Sequence, residues 1–77
     1  MERDLVEYIA KSLVDDPQAV TINVIEQERA TILELRVAQE DVGKVIGKHG
    51  RIAKAIRTIL SASSTASGKR VSLEILD

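Results

Sequence analysis

The 77-residue chain has no cysteine, no phenylalanine and no tryptophan, and only one histidine, one tyrosine and one proline. Each shortage closes off a class of structure or chemistry. Without cysteine there can be no disulfide and no thiolate metal site, and with His49 alone an imidazole-rich site is excluded too. No metal or other cofactor is therefore expected. No apolar run reaches the ~7–15 residues of a secretion-signal core or the ~18 of a membrane span, so a cytoplasmic protein without membrane contact is expected. A domain this short buries only about 60% of the surface its unfolded chain exposes. With disulfides and metals gone, oligomerisation is the remaining staple.

What is present is charge, unevenly placed. The formal net charge of −1 conceals ten acids against four bases in residues 1–41. Residues 42–70 then carry Lys44, Lys48, Arg51, Lys54, Arg57, Lys69 and Arg70 with no acid at all. Solvated helices usually mix signs, because opposite charges four residues apart support them. An all-basic stretch on an acidic chain is instead a local electropositive field.

Hydrophobic periodicity orders the chain as α-β-β-α-α-β. Leu5, Ile9 and Leu13 recur every four residues, predicting a helix over 2–15 that Asp16-Pro17 ends. Asp4-Leu5-Val6-Glu7 reads as a capping box. Val20, Ile22 and Val24 alternate with Thr21 and Asn23 as a half-buried strand. A second strand spans 31–37, with Leu33, Leu35 and Val37 inward and Thr31, Glu34 and Arg36 outward. Gln27–Ala30 is short enough for a hairpin loop. Val42 to Ile46 is a short helix with Asp41 as its N-cap candidate. A longer helix runs from Arg51 to about Ala66, turning Ile52, Ala53, Ile56, Ile59 and Leu60 one way. Gly68 can end it in the left-handed conformation. Val71, Leu73 and Ile75 form a third strand. The expected fold is one α+β domain over 1–77, a two-layer sandwich of three helices on a three-stranded sheet.

Three of the four glycines lie in Gly43-Lys44-Val45-Ile46-Gly47-Lys48-His49-Gly50-Arg51. Between two helices, Gly47 can take a positive φ to end the first and Gly50 permits a tight turn into the second. Neither carries a Cβ, so a ligand's backbone can approach. The first N–H groups of the second helix, near Arg51, lack intrahelical partners and its dipole adds positive charge. Lys48, Arg51 and His49 add side-chain donors. This is an anion site shaped for a sugar-phosphate chain. A Walker loop does not fit, because Lys48 and Ile52 stand where its second glycine would be, and no G-x-G-x-x-G occurs. For His49 two readings stand: an exposed loop residue of no consequence, or a phosphate contact that strengthens below about pH 6.5.

The segment Val45-Ile46-Gly47-Lys48-His49-Gly50-Arg51 resembles the signature loop of KH domains, modules that bind RNA and single-stranded DNA. The element order resembles their type II arrangement. Over its whole length the chain is similar to the small stand-alone bacterial KH proteins of the KhpA family. One departure is that many KH domains place a large aliphatic residue where this chain has Ala53, with Ile52 one position earlier. The resemblance implies that the loop clamps about four nucleotides of single-stranded RNA by their backbone. Gly47 and Gly50 would give close approach, Lys48 and Arg51 charge, Lys44 and Lys54 a longer positive path, and Val45 and Ile46 an apolar wall. With Tyr8 as the lone aromatic, base stacking is minor, so low sequence specificity and strong salt dependence are expected. Family likeness also suggests a post-transcriptional regulator or RNA chaperone, with links to cell shape.

The long helix carries a second line of mostly small residues, Ala55, Ile59, Ala62 and Ala66, at heptad-like spacing. Such a seam lets two helices approach closely and predicts a homodimer. The family resemblance adds a possible heterodimer with a larger KH-containing protein of the KhpB or Jag kind. A rival reading makes the chain a protein-interaction adaptor that uses this seam, its basic face secondary. Catalysis is not expected. Asp15/Asp16 and Glu40/Asp41 sit at helix ends, where capping explains them, and the Ser/Thr cluster 61–67 lacks a nearby base.

Overall fold

The first apolar stripe forms α1, Glu2–Leu13. The computed structural model describes residues 2–76, and of residues 64–67 the backbone alone. Because α1 starts at Glu2, Asp4 and Glu7 lie inside it and no capping box forms; Glu7 instead pairs with Arg3 at 3.1 Å and Lys11 at 3.0 Å. Its buried line is Val6 and Ala10, with Ile9 and Leu13 half-buried and Leu5 and Tyr8 exposed. The stripe is thus turned by one residue from the expected Leu5–Ile9–Leu13 line. Val14 N–H still reaches Ala10 O at 3.1 Å, and then Pro17–Ala19 makes a 3-10 turn.

Strands β1 (Thr21–Glu26) and β2 (Ala30–Arg36) form an antiparallel hairpin, and β3 (Arg70–Leu76) adds to β2 in parallel, giving the order β1-β2-β3. Parallel strands cannot be joined by a tight turn and need a crossover of a dozen or more residues. The helices α2 (Val42–Ile46) and α3 (Arg51–Ser67) supply it. Gly68, at φ 74°, lets the chain leave α3 for β3.

Register fixes the faces. Leu33 stands between Val24 and Leu73, and Leu35 between Ile22 and Ile75. With Val6, Ala10, Val45, Ile56 and Leu60 they form one core between the sheet and the helices. Thr31 shares this face rather than the outer one, since it is two residues from Leu33; it sits at the sheet's end with Oγ1 donating to Glu26. The opposite face carries Asn23 donating to Glu34 at 3.1 Å, beside half-buried Ile25 and Ile32. Val24, on the edge strand, stays 38% exposed. The architecture is α+β in the order read from the sequence, with three short 3-10 turns between elements.

Candidate nucleic-acid interface

The Gly47–Gly50 loop connects α2 to α3 as a single 3-10 turn, Lys48–Gly50. Three positions with unusual backbone, Gly47, His49 and Gly50, build it. Gly47 has φ 79° and ψ 168°, a region essentially reserved for glycine. His49, at φ 59° and ψ 24°, is left-handed, and Gly50 follows at φ 72°. The two flanking glycines are not equivalent. A Cβ on Gly47 would lie 2.6 Å from Ile52 Cγ1, whereas one on Gly50 would meet nothing within 4 Å. The bare side of Gly47 is therefore filled by Ile52, and only Gly50 leaves open space. The two glycines thus differ in what stands at their Cβ positions; this gives a use to Ile52, while Ala53 is buried in the helix packing.

The open donors also differ from expectation. Gly50 N–H donates to Gly47 O at 3.0 Å and Arg51 N–H to Lys48 O, so the turn consumes the amides nearest the start of α3. Among the described residues, the Lys48 and His49 N–H groups have no backbone acceptor. They sit at the exposed tip, with the N-terminal end of the 17-residue α3 behind them.

The basic residues divide. Lys48, His49, Arg51 and Lys54 are exposed, and among the described residues no carboxylate pairs with them. Lys44 is different: its Nζ lies 2.6 Å from Asp15 Oδ2 and 3.0 Å from Asp41 Oδ1. Its charge is already met, and both partners, Asp15 first, hold its pKa above the ordinary lysine value. Among the described residues Asp41 is the one buried acid, 2% exposed. It is the boundary residue of α2 but makes no side-chain cap; Oδ2 instead accepts Asp16 N–H at 3.1 Å. Burial pushes its pKa up, but Lys44 and the Asp15 and Asp16 amides outweigh this and hold it below the ordinary range. Val45 is fully buried in the core and cannot wall a groove; Ile46, half-buried, remains at the surface.

An open groove of about 530 Å³ runs between α3 and β3, lined by Arg57, Ser61, Gly68–Arg70 and the first half of β3. Arg57 leans across it, its guanidinium 3.4 Å from Leu73 O. It lies six residues beyond Arg51, about 9 Å along the helix. The groove has no local signature in the sequence, because the pairing of β3 beside β2 is what brings Arg70 near Arg57's helix. The acid-free run 42–70 was its one available signal. Among the described residues, no group of three His, Cys, Asp or Glu could hold a metal, and no helix is long and apolar enough to cross a membrane.

A family model described as KhpA/KhpB, KH domain, matches residues 3–75. The chain belongs to the KhpA/KhpB KH-domain family. Its relatives include the RNA-binding protein KhpA of Treponema pallidum, 61% identical over 77 residues, covering 100% of this chain and 96% of that one. The RNA-binding protein KhpA of Borreliella burgdorferi is 60% identical over 76 residues, 99% of this chain and 93% of that one. These names describe binding proteins and not enzymes. Among solved structures, Aquifex aeolicus Era superposes with a TM-score of 0.61 at 20% identity, over 96% of this chain and 29% of Era. That likeness concerns the fold alone. This KH domain thus has its Gly47–Gly50 turn at the helix–helix junction and its groove along β3.

Proposed function

We propose that residues 1–77 act as a single KH domain that holds single-stranded RNA by its sugar-phosphate backbone at Gly47-Lys48-His49-Gly50. The observation that carries this reading is the exposed pair of amides at Lys48 and His49, which have no backbone acceptor among the described residues, followed by the exposed cations of Arg51 and Lys54 with Lys48 in the turn itself. Such an arrangement satisfies phosphate oxygens with main-chain donors while side chains neutralise charge. Membership in a family whose relatives are named RNA-binding proteins supports RNA as the ligand. From the turn the strand follows the groove toward β3, past Ile46 and Arg57, for about four nucleotides. Tyr8, the lone aromatic, is on α1, so bases are not gripped by stacking and sequence discrimination is low.

In this reading the protein works in the cytoplasm as a post-transcriptional regulator or RNA chaperone, and as a dimer. Ala55, Ile59 and Ala62 are all exposed on α3, Ile59 to 46%, and this favours a helix–helix contact with a second copy or a larger KH-containing relative. The Ala66 side chain lies outside the described residues. The same exposed line supports the second reading, a protein adaptor whose basic face is secondary. Fluorescence anisotropy with oligouridylate across a salt series separates the two. The RNA reading expects binding with a logarithmic salt slope of about −2, for some three phosphates neutralised. It expects Lys48→Asp/His49→Asp to abolish that binding while leaving self-association intact. Unchanged RNA affinity in the double variant would favour the adaptor.

A further inference from the structure

Lys44 belongs by sequence to the basic run, yet it is built into something else. Its ammonium bridges Asp15, on the linker after α1, and Asp41, at the head of α2. The buried Asp41 carboxylate reaches back to the Asp16 amide, so the linker after α1 and the head of α2 are tied by two contacts, Asp16–Asp41 and Asp15–Lys44, with Lys44–Asp41 joining them within the second segment. The element so tied is α2, only five residues long. A helix that short has no stability of its own and takes its direction from what it packs on. Its anchors are Val45, sunk in the core, Val42, half-buried against that core, and this ionic clasp. The Gly47 turn leaves α2 directly, with Gly47 N–H bonded to Gly43 O at 2.9 Å, one residue before Lys44.

We infer that the Asp15–Lys44–Asp41 clasp positions the Gly47–Gly50 corner, and that Lys44 is a positioning residue rather than a phosphate contact. The inference deepens the RNA reading above and rests on it for its functional consequence. The clasp fixes the roll of α2 and so aims the Lys48 and His49 amides before any ligand arrives. Asp15, although its side chain is 84% exposed, is part of the machinery because it holds the outer side of the ammonium at 2.6 Å.

Three variants of the full chain test this: Lys44→Met, Asp15→Asn and, as reference, Lys48→Met. Two readouts are taken, amide hydrogen exchange of Gly47 and Gly50 without RNA, and oligouridylate affinity across a salt series. The clasp predicts that Lys44→Met and Asp15→Asn speed exchange at both amides about fivefold and weaken RNA binding, with the parent's salt slope retained. Lys48→Met should leave exchange alone and flatten the slope by about 0.7. The inference is overturned if Lys44→Met flattens the slope as Lys48→Met does. It is equally overturned if Asp15→Asn tightens binding by releasing a cation, or if exchange is unchanged in both clasp variants. Should Lys44→Met fail to fold, Asp15→Asn at the exposed carboxylate decides alone. If the parent shows no salt-dependent RNA binding, the RNA reading falls, while the exchange rates still decide the clasp.

Discussion

Gly47 and Gly50 look interchangeable in the motif, but they have different physical jobs. Gly47 occupies backbone space open only to glycine, and Ile52 fills the volume where a Cβ would stand. Gly47→Ala combines backbone strain with overpacking and should destabilise by about 2–5 kcal/mol in urea denaturation. Partial rescue by Ile52→Ala would confirm the steric cause. Gly50→Ala meets no neighbour and should cost only about 1–2 kcal/mol, the left-handed penalty. It should instead weaken RNA binding, because a methyl group then projects into the open side of the turn. A sequence can announce that two glycines shape a corner. Which one faces solvent depends on where Ile52 falls after α3 docks, and no local pattern carries that.

Among the elements, α3 is the most legible in sequence, and one of its positions is not. Its span and its burial of Ile56 and Leu60 follow from period and composition. Periodicity places Ile59 both on that arc and on the small-residue line; it is 46% exposed beside a fully buried Leu60. One residue of rotation, 100° on the wheel, separates core from surface, and an arc that wide is read only against the sheet it meets. The two neighbours make opposite predictions. Leu60→Ala should cost about 2–5 kcal/mol of folding stability. Ile59→Lys should change stability by less than about 0.5 kcal/mol, yet abolish self-association in a sedimentation concentration series. A monomer in the parent as well as the variant would remove the dimer from the account. Alternation likewise marked β2 and β3 clearly, but their parallel pairing, and hence the Arg57 groove, arises from non-local contacts.

Over the whole molecule, charge is segregated: residues 1–41 carry ten acids against four bases, and residues 42–70 carry seven bases and no acid. The clasp is where the halves meet, and it gives stability a defined pH shape. Folding holds the Asp41 pKa below its ordinary value near 4, so its contribution is complete above about pH 4 and lost as pH falls through the folded value. Lys44 is raised above its ordinary 10.5, so its contribution is complete below that and lost as pH rises through the higher folded value. Urea midpoints measured against pH should therefore show an acid limb that Asp41→Asn flattens, together with a lower midpoint at neutral pH. An unchanged acid limb would mean that other carboxylates govern it. The central claim is that main-chain donors at an exposed corner grip the ligand, and amide NMR during titration with a short oligoribonucleotide at low ionic strength tests it most directly. The account predicts that the Lys48 and His49 amides shift most, with Gly50 and Arg51 following and the exposed face of β1 still. Saturable binding that leaves those two amides unmoved would contradict it.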